Sequence, residues 1–292
     1  MRSPPIATPQ RPDQRSQVAS PELTNPRSAR VKNARRLATR AFRQETRRFL
    51  AEGVQAVREA LAGVRSGGVV VHEVIVTEDG VRRHSDLIAA AEAAGVPVHT
   101  ASDQVLSSLS ETVTPQGLVA VCEFLDVTLQ EILSKSPQLI ALLAEVRDPG
   151  NAGSVLRAAD AAGADAVIFS AGSVDPYNGK AVRASVGGLF HLPVVTDVDL
   201  RATVEQLRDA GLHVLAADSS GSIDLDEAER TGLLARPTAW VFGNEAWGLP
   251  GALRDVADAV IRIPIYGKAE SLNLATAAAL CLYASTRAQR LA

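Results

Sequence analysis

The stretch EVRDPGNAGSVLRAADAAGADAVIFS, residues 145–170, decides how the C-terminal half of the chain folds. A glycine-containing turn leads from an apolar strand into a helix-forming segment, and AVIFS then predicts a second buried strand. Strands and helices go on alternating to the end of the chain, which predicts a doubly wound, mainly parallel α/β sheet over residues 139–292. Parallel sheets bind ligands at the carboxyl ends of their strands, so the loops after residues 145, 242 and 264 form the candidate site.

The turn itself contains Gly150 and Gly153 but matches neither the dinucleotide pattern GxGxxG nor the phosphate-binding pattern GxxxxGKS/T. It places Asn151 beside these glycines and Arg157 about one and a half helical turns further on. A guanidinium near a helix start suits an anionic phosphate. A tight turn followed by a surface arginine explains the same residues, and the stretch alone leaves both interpretations open.

The N-terminal half predicts a separate unit. Short strands alternate with helices from residue 67 to residue 123, which predicts a small α/β domain. Residues 124–138 break the alternation and mark a linker. Residues 1–22 are rich in proline, serine, glutamine and arginine, so we expect a disordered tail. The predicted division is thus that tail, a basic helix with the small domain over 23–123, the linker, and the parallel-sheet domain over 139–292.

Charge is distributed unevenly along the chain. Residues 1–50 hold 12 Lys/Arg against 3 Asp/Glu, whereas the rest of the chain holds 18 against 30. Apolar residues at helical spacing predict one helix through VKNARRLATRAFRQETRRFLAEG, with a row of cations on another face. The members of this row are Lys32, Arg36, Arg40, Arg43 and Arg47. Such a row fits a polyanion such as RNA. A solvated helix face is the ordinary alternative, and the opposite charge of the remaining chain slightly favours nucleic-acid contact.

Composition argues against several classes of protein. The two cysteines, Cys122 and Cys281, lie far apart in apolar stretches, which indicates buried thiols. The five histidines have no metal-ligand spacing and none lies in a nucleophile elbow, so we expect neither a metal centre nor a serine-hydrolase triad. No apolar run reaches the roughly 18–20 residues of a membrane helix, and no secretory signal is evident. We therefore expect a cytoplasmic protein without a membrane partner.

The other two loops repeat the arrangement of strand, polar glycine loop and helix. AWVFGNEAWGLP predicts a buried strand running into Gly243 and Glu245, and AVIRIPIYGKAESLNLATAAALCLYAS combines a strand, a glycine loop and a helix. Glycines let a backbone approach a ligand closely. Ser271 and Asn273 fall at the predicted helix start, where an ordinary N-cap role also explains Ser271. The helix is apolar on nearly all faces, which favours a core or a subunit interface.

In this order, DPGNAGSVLRAADAAGAD, VFGNEAWGLP and IPIYGKAESLNLATAAAL resemble the signature motifs of the SpoU/TrmH branch of the SPOUT superfamily, the RNA ribose 2'-O-methyltransferases. The resemblance covers about residues 140–290, and DPYNGKAVRASVGGLFHLPVV resembles the family's segment between motifs. It implies a trefoil knot in the C-terminal domain, a homodimer, and S-adenosylmethionine as methyl donor, although knots are nearly absent among folds. The N-terminal region resembles, more loosely, the family's small RNA-binding domain of ribosomal-protein type.

The resemblance also implies functional residues. The expected catalytic residues are Arg157, Asn151, Glu245, Ser271 and Asn273. The expected cofactor-binding residues are Gly243, Ile263 and Leu272. Two further residues, Lys180 and Arg183, are candidates for contact with RNA phosphates, with a plain surface role as the even alternative.

Arg157 is expected to be essential, but its role stays open. A guanidinium does not normally lose a proton. Arg157 either acts in removal of the 2'-hydroxyl proton with help from a substrate phosphate, or orients the hydroxyl and stabilises the developing oxyanion.

The expected activity is methyl transfer to a ribose 2'-hydroxyl, with 23S ribosomal RNA preferred over transfer RNA because a basic N-terminus and two domains suit a large structured RNA. That preference is an analogy of architecture. A non-catalytic RNA-binding protein would explain the basic segment without Arg157 or Asn273. A nicotinamide-dependent oxidoreductase would use an acidic residue such as Asp175 after a glycine fingerprint, but the glycine pattern does not match.

Overall fold

The computed structural model of the chain describes residues 22–244, 246–249 and 251–291. The predicted disordered tail over 1–22 lies outside the described residues, apart from its last residue. Within the described part, no helix combines the length and the apolar character needed to cross a bilayer. Cys122 and Cys281 are buried thiols, as the sequence indicates, and burial raises the pKa of both above the ordinary value.

The first unit is a four-stranded mixed sheet covered by helices. Its strand order is β1-β4-β2-β3; β4 runs antiparallel to both of its neighbours, and β2 is parallel to β3. In chain order its elements are α1 (Ala29–Arg36), α2 (Arg40–Thr46), β1 (Arg48–Glu52), α3 (Val54–Ser66), β2 (Val71–Thr77), α4 (Glu78–Arg83), α5 (Ser85–Ala93), β3 (Val98–Ala101), α6 (Asp103–Leu109) and β4 (Leu118–Glu123).

The prediction of one long basic helix is wrong. Helix α1 ends before Leu37, which is buried, and α2 begins after Thr39. Arg47 then takes a left-handed conformation with φ of 54°, and the chain continues as strand β1 against β4. The strand forms because Phe49 and Ala51 alternate into the core, a period of two that a helical pattern over a longer window hides.

The second unit is a seven-stranded sheet in which every strand pair is parallel, which confirms the predicted parallel α/β sheet. The strand order is β7-β6-β5-β10-β8-β11-β9. In chain order its elements are β5 (Leu139–Leu143), α8 (Pro149–Ala162), β6 (Ala166–Ser170), α9 (Gly179–Ser185), β7 (Val194–Val198), α10 (Leu200–Asp209), β8 (His213–Ala217), β9 (Ile223–Asp224), α11 (Leu225–Arg230), β10 (Thr238–Phe242), α12 (Gly251–Arg254), β11 (Ala259–Arg262) and α13 (Leu274–Leu291).

Helices cover both faces of this sheet, and strand β5 shows why its sequence is apolar throughout. Leu139, Ala141 and Leu143 pack into the core shared with α8 and α13. Ile140 and Leu142 pack on the opposite face with residues of α10 and of a short helix, α7 (Leu129–Leu133). A strand buried on both faces has no polar alternation, as expected for a doubly wound sheet.

The segment between the units is packed rather than extended. Helix α7 carries a capping box between Thr128 and Glu131, and its Ile132 is buried. The two units share one core: Phe49 of β1 contacts Tyr177 with ring centroids 4.9 Å apart, and Phe124 stacks on the same tyrosine at 3.9 Å. The first unit therefore sits directly on the second.

Candidate active site

A cavity of about 520 Å³ opens at the carboxyl edge of the seven-stranded sheet. Its walls come from the ends of three adjacent strands, β8, β10 and β11, and from the starts of helices α8 and α13. It lies where ligands bind in parallel α/β sheets. Six residues expected at the site line it, and these are Asn151, Gly243, Ile263, Ser271, Leu272 and Asn273.

Gly243 sits where no other residue fits. A Cβ on this residue would lie 2.4 Å from the carbonyl carbon of Gly248. The chain turns back tightly here, since Asn244 and Gly248 exchange backbone hydrogen bonds of 3.0 and 2.9 Å. The Asn244 amide donates to the carbonyl of Glu145 at 2.6 Å and so ties this turn to the end of β5. Glu245 lies outside the described residues.

The long loop before α13, residues 264–272, has backbone N–H and C=O groups that are not hydrogen-bonded within the described part of the protein, and part of this loop lines the cavity. Most of this loop is exposed, and Ile265, Glu270, Ser271 and Leu272 line the cavity. Their backbone N–H and C=O groups, which the described part of the protein does not use, can bind the polar edge of a ligand. Ile263 and Leu272 add apolar surface beside these groups.

Asn273, and not Ser271, caps helix α13. Its Oδ1 accepts hydrogen bonds from the backbone N–H groups of Ala275 and Thr276, at 2.9 and 3.4 Å. Its Nδ2 donates to Oδ1 of Asn151 at 2.9 Å. The first helix of the second unit and the last helix of the chain are thus joined at the cavity by two side chains that the sequence singled out.

Gly153 serves helix packing and does not bring the backbone close to a ligand. A Cβ there would lie 2.3 Å from the carbonyl oxygen of Ala181. This glycine lets α8 and α9 pack closely and does not line the cavity.

Arg157 does not lie in the cavity wall. It is exposed in the middle of α8, about 240° around the helix from Asn151. Among the described residues its side chain makes no hydrogen bond or ion pair. The structure therefore gathers the predicted polar residues at one place but leaves the predicted essential arginine on a neighbouring face.

Sequence reasoning missed two carboxylates at the cavity, Asp218 and Glu270. Burial alone would raise the pKa of Asp218, but hydrogen bonds from Ser220 and the charge of Arg254 outweigh it and hold that pKa below its ordinary value. Asp218 is therefore ionised at neutral pH. The position of an aspartate directly after β8, at the carboxyl edge of the sheet, is the signal that could have identified it.

Several cations expected to contact RNA are engaged within the protein. Arg43 is only 2% exposed and pairs with Asp175, so the expectation that it contacts RNA is corrected. Lys180 pairs with Asp148 at 2.9 Å, which lowers the pKa of that carboxyl.

Arg183 is also paired, and it joins the two units. Its guanidinium contacts Glu52 of the first unit at 2.8 Å and Glu111 at 3.5 Å. By contrast, Lys32, Arg36 and Arg40 are exposed on α1 and α2. Arg36 lies over the ring of Phe42, with its guanidinium carbon 3.8 Å from the ring centroid.

No cluster of three or more His, Cys, Asp or Glu side chains in the described part of the chain could hold a metal ion.

Solved structures with this architecture define the class. An S-adenosylmethionine-bound rRNA methyltransferase from Sinorhizobium meliloti superposes with a TM-score of 0.78 at 32% identity, covering 91% of this chain and 97% of the other. The SpoU methyltransferase AviRb from Streptomyces viridochromogenes, in complex with the same cofactor, superposes with a TM-score of 0.77 at 32% identity, covering 91% and 99%. The fold is that of an RNA methyltransferase.

Sequence comparison then gives the family. The profile of the SpoU rRNA Methylase family matches residues 138–283, and that of the MRM3-like substrate binding domain matches residues 28–120. The chain is 34% identical over 262 residues to the 23S rRNA (guanosine(2553)-2'-O)-methyltransferase RlmP of Bacillus subtilis (strain 168), covering 90% of this chain and 98% of that protein. The chain belongs to the SpoU rRNA methylase family.

Proposed function

We propose that this protein transfers a methyl group from S-adenosylmethionine to a ribose 2'-hydroxyl of 23S ribosomal RNA. The observation that carries the proposal is the convergence of Gly243, Ile263, Leu272, Asn151 and Asn273 on one cavity at the edge of the sheet. A relative of nearly the same length, RlmP, is named for this reaction on 23S ribosomal RNA. We propose the cytoplasm as its location, because the relatives it resembles are named for reactions on 23S ribosomal RNA.

The cavity fits the proposed methyl donor. Its volume of about 520 Å³ is within the range of small-molecule sites. Apolar side chains at Ile261, Ile263 and Leu272 suit the flat faces of adenine, and the backbone groups of residues 270–272 suit its polar edge. The ionised carboxylate of Asp218 attracts the ligand's ammonium group or ribose hydroxyls. When bound, S-adenosylmethionine supplies a methyl group on a positively charged sulfur.

The reaction forms an O–CH₃ bond at the 2'-oxygen and breaks the S–CH₃ bond, so sulfur leaves as a neutral thioether and the hydroxyl proton must be removed. No covalent enzyme intermediate is required. Arg157 stays charged and stabilises the oxygen as negative charge develops, while a substrate phosphate takes the proton. Asn151 and Asn273, linked at 2.9 Å, position the ribose and the loop beside it. Ser271 and Glu245 complete the proposed set.

A homodimer accounts for the position of Arg157. Helix α13, which packs on α8, exposes Leu280 and Tyr283, each 43% accessible. The Tyr283 hydroxyl donates to the carbonyl of Ala161, one turn beyond Arg157. We propose that a second copy covers this apolar face and that Arg157 of one protomer serves the cavity of its partner.

We also propose the trefoil knot for the C-terminal domain. After β11 the chain forms the loop over 264–272 and returns as α13 against α8, with the Asn273–Asn151 hydrogen bond at the point of contact. This return path supports threading of the C-terminal segment through a loop.

RNA contact is proposed for the exposed cations of α1 and α2, Lys32, Arg36 and Arg40, since the substrate-binding domain profile covers them. Lys180 and Arg183 stay in the proposal as secondary contacts, because each would have to share its charge with a carboxylate partner.

The test compares methyl transfer by the wild-type chain and by the Arg157→Ala variant into unmodified 23S ribosomal RNA and, separately, transfer RNA. Products are digested to nucleosides and identified by mass. We expect 2'-O-methylribose in ribosomal RNA, and a loss of roughly 100- to 1000-fold in the variant with unchanged S-adenosylmethionine affinity.

The matched control is Arg201→Ala, which removes an exposed helical arginine of α10 whose ion pair among the described residues is with Glu205. It should keep full activity. Methylation of transfer RNA but not of 23S ribosomal RNA would show that transfer RNA is the substrate. Binding of RNA without any transfer would favour the non-catalytic alternative.

Mixing Arg157→Ala with Asn273→Ala should restore activity if the two residues act across a dimer.

A further inference from the structure

Trp247 is an exposed aromatic residue that the proposed chemistry does not use. Its side chain is 53% accessible, whereas Trp240, the other tryptophan of the chain, is fully buried and donates a hydrogen bond to Ser285. Exposing an indole to water is unfavourable, because tryptophan carries a large apolar surface. An exposed tryptophan beside a binding cavity is therefore a candidate contact for a ligand.

Trp247 belongs to a turn at the rim of the cavity. Trp247 lies within the tight turn closed by Asn244 and Gly248, and both of these residues line the cavity. The preceding residue, Ala246, donates its N–H to Asn244 Oδ1 at 2.8 Å, which further fixes the turn. These hydrogen bonds fix the backbone of the turn that carries Trp247 beside the cavity.

A cation packs on the ring. The guanidinium carbon of Arg147 lies 4.9 Å from the ring centroid of Trp247. Arg147 directly precedes Asp148, the N-cap of α8, whose Asn151 lines the same cavity. Among the described residues no other aromatic ring contacts Trp247, so the structure pairs the indole with a positive charge and with no second ring.

We infer that Trp247, backed by Arg147, is the platform on which an unpaired base of the substrate RNA stacks beside the reacting ribose. This inference rests on the proposed function. A ribose within a stacked helix cannot reach a cavity in a protein, so its nucleotide must leave the stack, and aromatic side chains stabilise unstacked bases. Every base has a π-face, so the indole can stack on any unpaired base. A single indole is too small for a stable protein interface, which buries about 1,200–2,000 Å².

The experiment compares Trp247→Leu with Trp247→Phe in methyl transfer into unmodified 23S ribosomal RNA at saturating S-adenosylmethionine. Leucine keeps an apolar side chain but has no π-face, whereas phenylalanine keeps both. We expect kcat/KM for RNA to fall about ten- to a hundredfold in Trp247→Leu and to recover most of the wild-type value in Trp247→Phe. S-adenosylmethionine affinity and oligomeric state should be unchanged in both.

A fluorescence measurement tests the same contact without turnover. The emission lost between the wild type and Trp247→Phe belongs to Trp247, and Trp240 serves as the buried internal reference. A single-stranded RNA oligonucleotide should quench the Trp247 emission and leave that of Trp240 unchanged. This readout remains decisive if Trp247→Leu fails to fold.

Three outcomes would overturn the inference. They are equal kcat/KM in all three proteins, absence of quenching, and dissociation of a dimer in Trp247→Leu, which would assign the indole to a subunit interface. Equal kcat/KM in all three proteins would reject the stacking role of Trp247 and leave the proposed function unaffected. A wild-type chain that methylates no RNA would instead remove the proposed function, and quenching alone would then decide whether bases stack on Trp247.

Discussion

Polar groups have opposite uses at the junction between the two units and in the loop that lines the carboxyl edge of the seven-stranded sheet. At the junction they are paired within the protein: Arg43 makes hydrogen bonds to Asp175, Leu37 and Ala38. At the edge, the loop over 264–272 leaves its backbone groups without partners in the described part of the chain. Groups already paired stabilise the architecture, and groups without partners are available to a ligand.

The comparison reassigns the cations that the sequence associated with RNA. Arg43 and Arg183 belong to the junction, since each contacts a carboxylate across the two units. Arg157 belongs to neither region: it is exposed on α8 outside the cavity wall, and it has no partner within the described residues. The sequence shows which side chains are cations. Whether a cation can bind RNA depends on whether the fold places a carboxylate beside it.

The largest effect on stability is expected at the junction, from Arg43→Met. The variant leaves Asp175 buried at 4% exposure without its partner, and removing one member of a buried ion pair costs about 3–5 kcal/mol. Urea denaturation followed by circular dichroism measures the loss. The double variant Arg43→Met/Asp175→Asn should recover part of it, because asparagine can still accept the hydrogen bond from the N–H of Tyr177. A loss of RNA affinity at unchanged stability would instead place Arg43 at the RNA surface.

A smaller effect on stability is expected at the edge, from Asn273. Replacing it with alanine removes the cap of α13 and should cost about 0.5–2 kcal/mol. Asn273→Asp keeps the cap acceptor but loses the donor to Asn151, so stability should be retained while methyl transfer falls. Denaturation and single-turnover assays on both variants separate the two roles. Full activity in Asn273→Asp would restrict this residue to capping.

The smallest effect is expected at His191, which joins the two units through Glu59 at 3.1 Å and Asp160 at 2.9 Å. Burial lowers its pKa, but hydrogen bonds and charge from the two carboxylates outweigh this and raise it overall. A raised folded-state pKa means that the stabilisation is complete below about pH 6.5 and is lost as pH rises through the folded value.

The stability difference between wild type and His191→Gln should therefore shrink with rising pH, measured by denaturation across that range. It should be small, because the imidazole is 43% exposed and solvent screens its charge. A difference that grows with pH would contradict the assignment.

Much of the second unit could be predicted from its sequence, because buried parallel strands are continuous apolar runs and the ligand edge follows from their direction. The site loops were identifiable for the same reason. The pairing of Arg43 with Asp175 was not predictable, since the two residues are 132 positions apart. The strand at Phe49 was hidden because its few residues also fit the helical spacing before it. Ser271 and Asn273 are both N-cap residue types two positions apart, and only the backbone path decides between them.

The aromatic contact of Phe49 and Phe124 with Tyr177 fixes the first unit against the second. Because both units share one core, packing sets the distance from the exposed cations of α1 and α2 to the cavity, and no flexible linker can adjust it. An RNA engaged at both places must present its backbone and its target ribose at that one spacing. If the cations of α1 and α2 contact the substrate, as proposed, we expect an RNA with a suitable nucleotide at another spacing to be methylated poorly.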